Sequence, residues 1–116
     1  MALSRRPLSS GWTRILKRPD HFALHRHRIG RWSDFPLVCV LQSPLVAGPE
    51  LIICPVSTFG PAGPTSPMIA MGGTAYFLRL RMMAALSPRL LSEKLGSAEA
   101  IRSDIVNGFD RLFLGS

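Results

Sequence analysis

Residues 35–56 read FPLVCVLQSPLVAGPELIICPV. Two apolar runs rich in β-branched residues, 35–42 and 50–56, flank a segment punctuated by Pro44, Gly48 and Pro49. Each run is too short for a helix and is bounded by turn residues, so the stretch predicts an antiparallel hairpin of buried strands. The same punctuation rules out a membrane span: Pro36, Gln42, Pro44 and Gly48 break the longest apolar candidate, well short of the roughly 18–20 residues required. Cys39 and Cys54 flank the turn symmetrically and can face each other across the hairpin. Buried free thiols, behaving as small hydrophobes, are the first reading and a disulfide the second. No CxxC or Cys/His spacing suggests zinc.

Upstream of the hairpin, HFALHRHRI (21–29) alternates Phe22 and Leu24 with polar His25 and His27, the period of a half-buried strand. The two histidines would share a solvated face, and no third metal ligand is near in sequence. Residues 1–20 carry five basic residues (Arg5, Arg6, Arg14, Lys17, Arg18) against Asp20, a net +4; residues 21–116 carry nine against six, a net +3. Most of the +7 therefore describes a basic N-terminal extension, expected to be disordered, and is a poor argument for a nucleic-acid-binding domain. The extension has no apolar core of a secretory signal; its Arg- and Ser-rich composition is also that of an organellar transit peptide. With 116 residues, 47% of them hydrophobic, the rest is one domain with a modest core.

Downstream, STFGPAGPTSP (57–67) is a loop, PMIAMGG (67–73) a short strand and turn, and TAYFLRLRMMAAL (74–86) a strand whose end can turn helical. It places Tyr76, Leu78, Leu80 and Met82 on one face. SPRLLSEKLGS (87–97) predicts a short helix with Ser87 as N-cap, Pro88 at its first position and Gly96 as its stop. A terminal helix follows, with Ser97 as cap, Glu99 in the first turn and a stripe of Ile101, Ile105, Phe109, Leu112 and Phe113. If Phe113 belongs to the core, Phe113→Ala should cost about 3–5 kcal/mol. Gly108, costly in a helix by about 1 kcal/mol, either permits close approach of another backbone or is simply tolerated. Strands followed by helices predict a mainly β or α+β fold, a small antiparallel barrel with a docked helix. No phosphate loop, GxSxG or HExxH is present; catalysis by His25, His27 or an arginine would need the fold to assemble it.

HFALHRHR, FPLVCVLQSPLV, LIICPVS, SPMIAMGGTAYFLRLRMMAALSP and IRSDIVNGFDRLFLG, in this order, resemble the CcdB family, toxins of plasmid and chromosomal toxin–antitoxin pairs. The nearest stretches are VLQSPLV, PMIAMGG and the tail, where Asp104, Ile105, Asn107, Phe113 and Gly115 match the family's residues. The resemblance covers about residues 21–116. It implies an SH3-like barrel with a C-terminal helix, working as a homodimer in the bacterial cytoplasm. It further implies a toxin that performs no chemistry, needs no cofactor or metal, and has no direct nucleic-acid specificity. Its implied target is the A subunit of DNA gyrase, trapped on cleaved DNA; a CcdA-like antitoxin whose partly disordered segment folds on binding would neutralise it. The family's gyrase-binding triplet falls on Leu114, Gly115 and Ser116, where its best-known members have Trp, Gly and Ile. Asp110 falls where an Asn contributes, and Leu45 and Val46 match two aliphatics near the same surface. Residues 1–20 have no counterpart, and the 57–67 loop is shorter than the corresponding arm. The alternatives are an inactive homologue that only dimerises and binds antitoxin, a MazF/Kid-like mRNA endoribonuclease of the same fold, and a generic basic binding module.

Overall fold

The hairpin organises the sheet. In the computed structural model, which describes residues 19–43, 45 and 48–115, β2 (Leu37–Val40) and β3 (Leu51–Ser57) run antiparallel with Cys39 opposite Cys54 and Val38 opposite Pro55. β1 (Ala23–His27) pairs with β2 on one side. On the other side of the hairpin β3 pairs with β5 (Thr74–Leu78) and, further along, with β6 (Ala84–Leu86). β4 (Met68–Met71) pairs with β5 through a two-glycine turn in which Gly72 and Gly73 have φ of 58° and 81°, the left-handed pair such a turn requires. β7 (Leu91–Ser97) completes the order β4-β5-β3-β2-β1-β7. All pairings are antiparallel, and one helix, α1 (Arg102–Leu114), follows the last strand. The fold is thus the expected one, mainly antiparallel β: a curled, barrel-like sheet with a C-terminal helix.

The curl brings the outer strands together. A Cβ at Gly96 on β7 would overlap Met71 Sδ on β4, so a thioether packs directly over the glycine backbone. Side chains of β2 and β3 are buried on both faces because each face has its own cover. Leu37, Cys39, Cys54 and Val56 lie with Phe22, Leu24, Ile69, Leu78, Leu80 and Ile105 in the cluster that receives the helix. Val38, Val40, Leu51 and Ile53 lie with Ile29 and Trp32 in a second cluster, against which Phe35, Leu86 and Leu90 pack. Continuous apolar runs are the expected signature of strands covered on both sides. Cys39 and Cys54 are free, buried thiols, and burial pushes both thiol pKa values up.

Phe22 enters β1 at φ 64°, a left-handed conformation that costs a side-chain-bearing residue on the order of 1 kcal/mol. Its backbone is held on both sides, the N–H donating to Val40 O at 2.7 Å and the carbonyl accepting from Ala98 N–H at 2.8 Å. Its ring stacks on His21 and lies under the Arg102 guanidinium.

Three expectations are corrected. Residues 87–97 do not form a helix: Ser87 caps and Pro88 opens only one 3₁₀ turn, Pro88–Leu90, after which the chain extends along β1. Pairing that covers an otherwise open strand edge outweighs the local start signals, and Gly96 serves the Met71 contact rather than a helix stop. His25 and His27 do not form a solvated face: His25 is buried with Nδ1 3.0 Å from Ser92 O, and His27 is half-buried with Nε2 2.7 Å from Phe35 O. Met82 leaves the face of Tyr76, Leu78 and Leu80, because a 3₁₀ turn at Leu80–Met82 splits the 74–86 segment into two strands. The proposed extension over residues 1–20 lies almost wholly outside the described residues; Asp20, inside them, accepts from Ala23 N–H and pairs with Lys94 at 3.0 Å.

Candidate functional site

The expected site residues divide between the helix end and the hairpin loop. α1 docks through Ile105, fully buried, with Ile101, Phe109 and Leu112 packed on the same core. Gly108 is buried where the helix crosses the loop and the 3₁₀ turn: a Cβ there would overlap Leu80 Cδ1 and lie 2.7 Å from the Pro64 carbonyl oxygen. The close backbone approach that Gly108 permits is therefore present. Asp104 in the first turn and Arg111 in the last suit the helix dipole.

Phe113 is not in the core. It is 68% exposed and Leu114 is 74% exposed, which corrects the expectation of a continuous buried stripe. The stripe ends because the helix runs past the sheet: Phe109 and Leu112 reach the core, while the Phe113 ring leans on Phe109 with centroids 6.5 Å apart. A second stripe is exposed instead. Val106, Asp110, Phe113 and Leu114 stand at i, i+4, i+7 and i+8 and face away from the core. Val106 joins it through a second period in IRSDIVNGFDRLFLG that the stronger Ile105 stripe overlies.

Gly115 closes the helix in the left-handed conformation, φ 72° and ψ 18°, with its N–H donating to Arg111 O at 3.2 Å. This is an αL cap, for which glycine is favoured on conformational grounds alone. Leu45 is 92% exposed in the β2–β3 loop, its N–H donating to Ser43 Oγ at 3.2 Å. Asp110, Leu114 and Gly115 are thus gathered on one helix end, and Leu45 belongs to a separate segment. Val46 and Ser116 lie outside the described residues.

Two further features adjoin the helix. Asp104 and Asn107 border a cavity of about 330 Å³ with Gly63, Pro64 and Pro67 of the 57–67 loop and Met68 of β4. That loop is organised by Arg79, which the sequence places only on the strand face opposite Tyr76 and Leu78. Its Nε donates to Ser57 Oγ and its Nη1 to Ser66 Oγ, both at 3.0 Å; its Nη2 donates to the Phe59 carbonyl; its guanidinium lies over the Phe59 and Phe77 rings. Nothing local in the sequence marks this role, because β4 and β5 separate Arg79 from the loop and the pairing of β5 with β3 brings them together.

Among the described residues no group of three or more His, Cys, Asp or Glu could hold a metal ion, and no helix is long and apolar enough to cross a membrane. Neither the protein-family models nor the curated proteins give a match to this chain.

Proposed function

We propose that this protein is the toxin of a type II toxin–antitoxin module, binding the DNA gyrase A subunit through the end of α1 and trapping the cleaved-DNA complex. The observation that carries the reading is the exposure of Phe113 and Leu114 on a helix whose other face is docked. Large apolar residues grouped on one exposed helix face mark an interaction surface. The resemblance of residues 21–116 to CcdB-like chains names the partner, and the barrel with a C-terminal helix is the architecture that resemblance implies. A CcdA-like antitoxin would cover the same surface, and a homodimer would present two helix ends.

Leu114 and Ser116, in place of Trp and Ile, favour a second reading: a homologue that dimerises and binds antitoxin without poisoning gyrase. The two separate in one assay. Purified full-length protein, compared with a chain ending at Phe113, is added to gyrase and plasmid. Linear plasmid with the first and not the second supports the toxin acting through its tail. No cleavage with either, from a folded dimer, supports the second reading; cleavage of an RNA substrate by the full-length chain would replace both with the endoribonuclease.

A further inference from the structure

The rim of the sheet at the end of β1 has no part in the reading above. Residues 26–31 read RHRIGR, three arginines with no acid among them. The fold fixes this segment tightly. His27 Nδ1 accepts from Ile29 N–H at 3.0 Å, so its Nε2 carries the proton donated to Phe35 O at 2.7 Å. Arg28 N–H donates to Leu90 O at 2.8 Å, and Ser33 N–H closes the following turn on Gly30 O at 3.1 Å. Beside this backbone lies an open groove of about 530 Å³, bordered by Arg26, Arg28, Ser33, Phe35 and Tyr76 among others. Its size is that of a small-ligand pocket, roughly 300–1,000 Å³.

Among the described residues the lining carries two arginines, Arg26 and Arg28, and no Asp or Glu. Arg26 pairs with Glu93 at 3.3 Å, but both side chains are largely exposed, and such pairs are weak enough for a phosphate to displace. The Arg28 guanidinium donates to the Arg89 carbonyl, a bond that takes one of five N–H groups. Asp34, exposed, is next to the lining residues Ser33 and Phe35 in sequence. Phe35 and Tyr76, both half-buried, border the same groove. Arginines recognise phosphate oxygens, and aromatic faces stack on bases. We infer that this groove binds a nucleotide, its phosphate held by Arg26 and Arg28 and its base set against the Phe35 and Tyr76 rings. The ligand is either a free nucleotide or one unit of a strand.

The test is a titration of the full chain, followed by amide shifts of Gly30, Ser33 and Tyr76 in ¹H–¹⁵N NMR, with uridine monophosphate, inorganic phosphate and hexauridylate. Uridine monophosphate should shift these amides saturably and bind about tenfold more tightly than inorganic phosphate, the margin a stacked base supplies. Arg26→Gln with Arg28→Gln should weaken it about tenfold or more. Tyr76→Leu should lower its affinity toward that of phosphate. Melting temperatures check the fold of each variant, and the exposed Arg26→Gln keeps the test sound if Tyr76→Leu does not fold. Tighter binding of hexauridylate through the same amides identifies a strand; equal affinity identifies a free nucleotide. The inference is overturned if these amides do not shift saturably, if binding survives both arginine changes, or if phosphate binds as tightly as the nucleotide.

Discussion

Phe113 and Ile105 are eight residues apart on one helix and have opposite roles. Ile105 is fully buried and Phe113 is two-thirds exposed. Ile105→Ala should cost about 2–5 kcal/mol, as truncation in a packed core does. Phe113→Ala should cost no more than about 1 kcal/mol, because the side chain is largely exposed and its ring contact is with Phe109. Urea unfolding of the two variants checks both figures. Arg79 is the residue on which the 57–67 loop depends: Arg79→Leu removes its bonds to Ser57, Ser66 and the Phe59 carbonyl and should destabilise by about 1–3 kcal/mol. Hydrogen exchange at the Gly63, Ser66 and Leu80 amides, which bond within or to that loop, should quicken. The cysteine pair gives a pH signature. Both thiol pKa values are raised by burial above the usual 9.0, so the folded state holds protons that the unfolded chain releases. The thiols' contribution is fully present below pH 9 and is lost as pH rises beyond it, by about 1.4 kcal/mol per pH unit for each thiol. Urea midpoints from pH 8 to 10.5 should fall, and Cys39→Ala with Cys54→Ala should remove that part of the slope.

At the scale of elements, the hairpin and the terminal helix were legible because their signals were local. The apolar runs of 35–56 predict a hairpin in which Cys39 can face Cys54, the register found, and Ile101, Ile105, Phe109 and Leu112 lie on one helical stripe that the period also extends to Phe113. β7 was not legible. Ser87, Pro88 and Gly96 carry every local sign of a short helix, and only the edge of β1, distant in sequence, decides otherwise. The burial of His25 was hidden for the same reason: β7 covers it, and the helix read there would not have. The limit of the helical stripe was equally invisible, since periodicity shows which residues share a face but not where the sheet beneath them stops. Gly108 separates helix propensity from packing. Gly108→Ala gains up to about 1 kcal/mol in propensity, yet its methyl would overlap Leu80 and press on the Pro64 carbonyl. The net should be a loss of about 1–2 kcal/mol, measured by thermal unfolding.

Across the whole molecule, the sheet, both core clusters and the inner face of α1 account for the fold, and they leave the stripe of Val106, Asp110, Phe113 and Leu114 unused. Two features of the candidate site have a structural reason that the family resemblance did not supply. Gly115 is an αL cap, and Leu114 is exposed because the helix outruns the sheet. Glycine at 115 is therefore no mark of a partner by itself, and the proposal rests on the exposed apolar residues before it. The most direct measurement pairs stability with action on the double variant Phe113→Ser, Leu114→Ser, read by urea unfolding and by gyrase-mediated cleavage of plasmid. The expected result is stability within about 1 kcal/mol of the parent chain, as for exposed positions, with cleavage abolished. A loss of several kcal/mol would make the helix end part of the core, and undiminished cleavage would place partner binding elsewhere on the molecule; either contradicts a tail that serves binding and not folding.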